Sequence, residues 1–204
     1  MSKDVVIIGA GGHAKVIADI VLCSGDNLVG FLDDNMEQGE VVFDEYEVIG
    51  KASDTSKYPD KSFVVAIGDN HVRADIVGKF DGLNWYTAIH PDAVIAKTCK
   101  VGEGTVVMAG VVVNPDAVIG RHCILNTSCS IDHDNVLGDF VHVSPGARLA
   151  GTVSIGAYSW ICAGATVINN VSVTSDVVVG AGGVVIGDIE EPGVYVGVPV
   201  RGVG

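Results

Sequence analysis

In Ile119-Gly120-Arg121-His122-Cys123-Ile124-Leu125-Asn126-Thr127-Ser128-Cys129-Ser130-Ile131-Asp132-His133-Asp134-Asn135-Val136-Leu137, an aliphatic residue returns at every sixth position. The series extends in both directions without a break, from Ile95 to Val185. A fixed six-residue period marks a β-helix, in which each hexad forms one flat side of a prism. Three hexads close one coil, so residues 18 apart stack in adjacent layers. Side chains alternate in and out along a strand. The residue two places before each aliphatic therefore also points inward, and those positions are mostly small (Ala117, Cys123, Ala147, Ala165). At roughly 4.8 Å per layer, five coils make a column about 25 Å tall.

Before the repeat, the reading changes. Residues 4–8 form a buried strand, Gly9-Ala10-Gly11-Gly12-His13 a tight turn, and 14–23 a helix with apolar Val16, Ile17, Ile20 and Val21. Strands follow at 28–32, ending in Asp33-Asp34, and at 63–67, ending in Gly68-Asp69-Asn70, with helical spacing over 71–80. Strand, glycine turn, helix, strand is a βαβ unit with a parallel sheet. The predicted organisation is an α/β Rossmann-like domain over 1–85, then a parallel β-helix of hexapeptide repeats over 86–204.

Composition narrows the function. With 12 Lys+Arg and a formal net charge of −13, no basic surface for nucleic acid is expected. No apolar run approaches the ~20 residues that span a bilayer, and the N-terminus carries no signal-peptide pattern. Five cysteines without a CxxC pair fit a reducing cytoplasm and no zinc site.

Two groups of residues carry chemistry. A glycine-rich turn between strand and helix lets backbone N–H groups meet a phosphate. Gly11, Gly12, His13, Asp33, Asp34, Gly68 and Asn70 would gather at the carboxyl edge of the sheet, where open α/β sheets bind ligands. Gly9-x-Gly11-Gly12 lacks the third glycine of the dinucleotide fingerprint, which favours a nucleotide phosphate over NAD. The second group lies mid-solenoid: Asn126-Thr127-Ser128, Asp132-His133-Asp134 and His142. His133 falls near a prism corner. Gly151 follows it by 18 residues and stacks on it, leaving room for a ligand and offering an N–H to an oxyanion. Asp134 can bond an imidazole nitrogen, fixing the tautomer and raising basicity. His133 and His142 are half a coil apart, on opposite sides of one prism, so they can meet only across an interface such as that of a threefold trimer. His71, His90 and His122 have structural explanations.

These motifs, taken in order with His142-Val143-Ser144 and Gly197-Val198-Pro199, resemble the sugar O-acyltransferases of the sialic acid acetyltransferase type. They are most similar to bacterial N-acetyltransferases of nucleotide-linked 4-amino-4,6-dideoxy sugars. The resemblance covers nearly the whole chain. It implies a left-handed β-helix and a cytoplasmic homotrimer with active sites at subunit interfaces. Acetyl-CoA is the implied cosubstrate, no metal is required, and the pathway is that of a surface glycan such as lipopolysaccharide. By matched motifs, His133 is the general base, with Asp134, Gly151 and Asn126 as its catalytic company. Gly11, Gly12, His13, Asp33, Asp34 and Gly68 contact the nucleotide sugar; His142, Ala163 and Ala181 contact acetyl-CoA. Asp134 stands where such enzymes often have Glu, and Arg201 where they often have Lys. Three other readings stay open: O-acetylation of free sialic acid, a trimeric prism with interfacial zinc as in β-helical carbonic anhydrases, and a non-catalytic scaffold. The irregular spacing of His122, His133 and His142 disfavours the zinc prism.

Overall fold

The computed structural model describes residues 2–80 and 82–203. It divides into two compact units, one up to Pro91 and one from Asp92 onward.

The first unit is built on a parallel sheet. Strand β1 (Asp4–Ile8) leads through the glycine turn to helix α1 (Gly12–Cys23), then to β2 (Asn27–Leu32). β3 (Val41–Phe43) and β4 (Tyr46–Gly50) form an antiparallel hairpin, and β4 joins β2 in parallel. After a 3₁₀ turn over Ala52–Lys57 come β5 (Ser62–Val65), helix α2 (Asn70–Gly78) and β6 (Asn84–Trp85). The sheet order is β3-β4-β2-β1-β5-β6, so β1 lies between β2 and β5 and the winding reverses there. Val6, Ile8, Leu32, Phe63 and Val65 form its apolar centre. The buried strands are near-continuous apolar runs, as a sheet covered on both faces requires. The third parallel strand ends at Val65, two residues earlier than the sequence suggests, and the β3–β4 hairpin arises in a stretch whose polar composition hides it. Residues 86–91 cluster with this unit: the Tyr86 hydroxyl donates to Asp26 at 2.7 Å, and the Ser24 hydroxyl lies 3.1 Å from the Ile89 carbonyl.

The second unit is a left-handed parallel β-helix. Each hexad supplies a short strand, and each strand pairs with the one 18 residues on: Val112 with Ser130, Ser130 with Arg148, His142 with Trp160. The sixfold aliphatic is the second residue of its strand from Val94–Ile95 to Val184–Val185, except in the longer Val177–Val179. From Val107 onward these aliphatics are buried, whereas Ile95 and Val101, in the first coil, are half-buried. The inward positions two residues earlier, from Thr105 to Val177, are buried as well. Of the polar residues at these inward positions, Thr105 and Ser159 donate their hydroxyls to the carbonyls of Gly120 at 2.9 Å and Thr174 at 3.0 Å. Asn135, fully buried, donates its amide to the Asp132 carbonyl and the Ala150 carbonyl, both at 2.8 Å, tying two coils together at one corner. The chain closes with the strand Gly193–Gly197 and its antiparallel partner Val200–Val203.

Candidate active site

Asp132, His133 and Asp134 occupy one corner of the β-helix, between the strands Ser130–Ile131 and Val136–Leu137. The tight corner puts Asp134 in the left-handed region (φ 59°). Its carboxylate then reaches back to His133 Nδ1 at 2.7 Å. That hydrogen bond is the main reason the His133 pKa is raised above the usual imidazole range; the nearby Asp132 and Asp134 charges push the same way. Asp132 Oδ1 accepts the Asn114 amide and the His133 backbone N–H, both at 2.8 Å, and these bonds hold its carboxyl below the usual carboxylate range. The imidazole is exposed, so it is held by these bonds rather than by burial.

Gly151 stands one coil on, and the stacking is intimate. A Cβ there would lie 2.6 Å from both Cε1 and Nε2 of His133, so any side chain would push the ring away. The two corners are joined by the Thr152 N–H, which donates to the His133 carbonyl at 2.9 Å. Their backbone amides differ. At the His133 corner, the Asp132 carboxylate accepts the N–H of the next residue; at 126–127, Asn126 Oδ1 does the same for Thr127 at 2.8 Å. At the Gly151 corner, Ala150 stands in the place of Asp132 and has no side-chain acceptor. Among the described residues, Gly151 accepts from Asn170 through its carbonyl, and no hydrogen bond takes up its own N–H.

His142 lies on the third face of the prism, in the strand His142–Val143, and the chain alone does not bring it to His133. It is buried, stacked on Trp160 with ring centroids 5.3 Å apart, and its Nε2 is 3.3 Å from the Asn126 amide. Asn126 therefore sits with His142 rather than with His133. Trp160 donates its indole N–H to Ser144 at 2.7 Å, closing a small network around that histidine. Ala163 and Ala181 are exposed at successive coils of one corner, joined where the Gly182 N–H donates to the Ala163 carbonyl at 2.9 Å. Burial pushes the Cys129 thiol up to about 12 and raises that of Cys162, so both stay protonated at neutral pH and neither is an activated nucleophile. His122 is buried and stacked on Phe140, as a structural residue would be.

In the first unit, of the residues expected at the strand ends, Asp33 and Asp34 border a common cavity, while Gly11, Gly12, His13, Gly68 and Asn70 do not line it. That cavity, of about 170 Å³, is bordered by Gly9, Asp33, Asp34, Asn35, Ala52, Ile67 and Val72, among others. A second, of about 340 Å³, shares Asp34, Ala52 and Ile76 with it and reaches Ser53, Lys79 and Phe80. Asp33 is largely committed to the fold: its carboxylate accepts the N–H groups of Ala10, Asn35 and Met36 at 2.8–3.1 Å. Asp34 accepts the Ala52 N–H at 3.0 Å. At Gly11, Gly12 and Gly68 an added Cβ would meet nothing within 4 Å, so no protein contact demands a glycine there.

Two features of this region escape the sequence. Arg73, a helix residue that reads as solvated, is 1 % exposed. Its guanidinium donates to the carbonyls of Ile67 at 2.9 Å and Gly68 at 3.2 Å and to Asn70 Oδ1 at 2.8 Å, fixing the loop that carries Gly68. Burial, aided by the Arg73 charge, lowers the His13 pKa to about 4, so His13 is a neutral ring at pH 7. Its buried Nε2 has no hydrogen-bond partner among the described residues.

Comparison with known proteins gives the frame for these sites. Residues 4–80 match the family described as the PglD N-terminal domain. UDP-N-acetylbacillosamine N-acetyltransferase of Bacillus subtilis is 39% identical over 115 residues, which is 52% of this chain and spans only 52% of that relative. The crystal structure of PerB from Caulobacter crescentus in complex with CoA and GDP-perosamine is 37% identical and superposes with a TM-score of 0.91, covering 98% of this chain and 97% of that one. The acetyltransferase domain of PglB from Neisseria gonorrhoeae in complex with acetyl coenzyme A is 36% identical, with a TM-score of 0.94 and all of both chains covered. A chain that matches such proteins along its whole length, with the β-helix and the α/β unit both in place, belongs to the family of nucleotide-linked amino sugar N-acetyltransferases.

Proposed function

We propose that this chain transfers the acetyl group of acetyl-CoA to the 4-amino group of a nucleotide-linked 4-amino-4,6-dideoxy sugar, with His133 as general base. The observation that carries this reading is the His133 corner. An exposed imidazole is bonded through Nδ1 to a carboxylate, has its other edge against a glycine, and lies beside a backbone N–H with no acceptor among the described residues. The PerB and PglB structures support the substrate classes: the first is a complex with CoA and GDP-perosamine, the second with acetyl coenzyme A.

The chemistry follows from these parts. The neutral amine nitrogen attacks the thioester carbonyl, forming the N–C bond as the carbonyl electron pair moves onto oxygen. The Gly151 N–H stabilises that oxyanion. His133 takes the proton that the amine nitrogen must lose, and Asp134 holds the resulting imidazolium. The C–S bond then breaks and CoA leaves as the thiol or thiolate. No acyl-enzyme and no metal enters the scheme.

In this reading the α/β unit holds the nucleotide through Gly11, Gly12, His13, Asp34 and Gly68, with Asp33 shaping the loop. Because His13 is neutral, phosphate charge is met there by backbone N–H groups and the helix N-terminus rather than by an imidazolium. The β-helix holds acetyl-CoA along His142, Ala163 and Ala181, with Asn126 orienting His142. Since His133 and His142 face different sides of the prism, we assign the active site to the interface of a homotrimer. We place the reaction in the cytoplasm, in the building of a bacterial surface glycan such as lipopolysaccharide. Among the described residues no helix is long and apolar enough to cross a membrane.

The test is release of CoA thiol with a panel of UDP-, dTDP- and GDP-linked 4-amino-4,6-dideoxy sugars. Turnover of one member, competed by its bare nucleoside diphosphate, is expected. Activity on free sialic acid, with none on the panel, would overturn the proposal in favour of O-acetylation.

A further inference from the structure

Asp19, Cys23 and His90 lie outside the machinery described above, and they converge. Asp19 and Cys23 are four residues apart on α1, hence on one face one turn apart. Cys23 Sγ is 3.9 Å from Asp19 Oδ1. His90 comes from the far end of the same unit, and one ligand atom from each of the three lies within 4.8 Å of the others. Its approach is fixed by Ser24, the cap of α1, whose hydroxyl lies 2.8 Å from the Ile20 carbonyl and 3.1 Å from the Ile89 carbonyl. Asp19 and Cys23 are exposed and His90 is half-buried, so the group is open to solvent.

The geometry points to a metal site, and we propose that Asp19, Cys23 and His90 bind a zinc-class divalent cation. The donor set decides the class. A thiolate and an imidazole select zinc, cobalt or a neighbouring transition metal over magnesium or calcium, which take oxygen ligands. Around a tetrahedral zinc, with Zn–S about 2.3 Å and Zn–O about 2.0 Å, sulfur and oxygen are roughly 3.5 Å apart. The 3.9 Å separation here closes to that value by a small side-chain adjustment. Three protein ligands leave the fourth position to water. Binding exchanges the thiol proton for the metal: Cys23–SH and M²⁺ give Cys23–S–M⁺ and H⁺, so affinity rises with pH. The ion would staple the last turn of α1 to the segment at 88–90. None of the three residues has a part in acetyl transfer, so the site stands independently of the proposed reaction.

Cobalt(II) titration of the full chain tests this, because a Co–thiolate bond produces a charge-transfer band in the near ultraviolet. The expected result is a band saturating at one equivalent, bleached by Zn²⁺ and absent in Cys23→Ser. His90→Ala and Asp19→Asn should each weaken binding about tenfold or more. Zn²⁺ should raise the Tm of the wild type by a few degrees and leave that of Cys23→Ser unmoved. No band at millimolar Co²⁺ would overturn the proposal. So would a band that survives in Cys23→Ser, which would assign it to another thiol, or an unchanged affinity in His90→Ala.

Discussion

The two glycine-marked regions of this chain use glycine for opposite reasons. At Gly151 the space is already taken: a Cβ would strike the His133 ring at 2.6 Å. At Gly11, Gly12 and Gly68 the space is empty, and a Cβ would project into the open. The first glycine is a demand of the protein on itself, since it lets the His133 ring lie close against the next coil. The second group has no such internal reason, and in the proposed function it is where the nucleotide sugar approaches the backbone. A residue that looks alike in sequence thus meets a packed ring in one region and open space in the other.

Substitutions can break this contrast. The largest effect belongs to His133→Ala, which should lower kcat by about 10²–10⁴-fold, the range of a lost general base, with the Tm unchanged because the ring is exposed. Gly151→Ala should displace the same ring and lower kcat about 10²-fold; wild-type kcat in this variant would show that the close approach has no catalytic meaning. Gly12→Ala should do the reverse. Within a helix it should be neutral or stabilising by up to about 1 kcal/mol, while raising KM for the nucleotide sugar roughly tenfold and leaving KM for acetyl-CoA alone. An unaltered nucleotide-sugar KM would remove the ligand from the explanation.

His13 sharpens the contrast through stability. Its folded pKa is about 4 and its unfolded value about 6.5, so between these the unfolded state binds more protons. The stability present above pH 6.5 should be lost as the pH falls towards 4, by about 3 kcal/mol if the full shift is expressed. Urea unfolding across that window should show the loss in the wild type and a flatter dependence in His13→Phe. The exposed His133 should leave no comparable signature.

The β-helix was legible because its period is a physical constraint repeated many times. Once each sixth residue must fill the prism, the 18-residue layer follows, and with it the pairing of His133 with Gly151 before any coordinates. The α/β unit was legible in its order of elements but not in its loops. Nothing in the sequence around Asp33 says that its carboxylate is engaged by the N–H groups of Ala10, Asn35 and Met36, because that depends on how three irregular segments meet. Arg73 was missed for a similar reason: a lone arginine on a polar helix reads as solvated, and only tertiary structure brings the carbonyls of Ile67 and Gly68 over it. The matched motifs set Asn126 in the company of His133, yet the prism turns it to His142.

The central claim, that Asp134 tunes His133 as the base, is tested most directly by the pH dependence of kcat/KM in wild type and Asp134→Asn. As the proposed base, His133 acts only when unprotonated, and the hydrogen bond to Asp134 raises its pKa. The acid limb of the wild type should therefore lie above the ordinary histidine range, and it should move to lower pH in the variant. The substrate amine also titrates, but it does so equally in both proteins, so the difference belongs to the enzyme. Superimposable limbs would contradict the account.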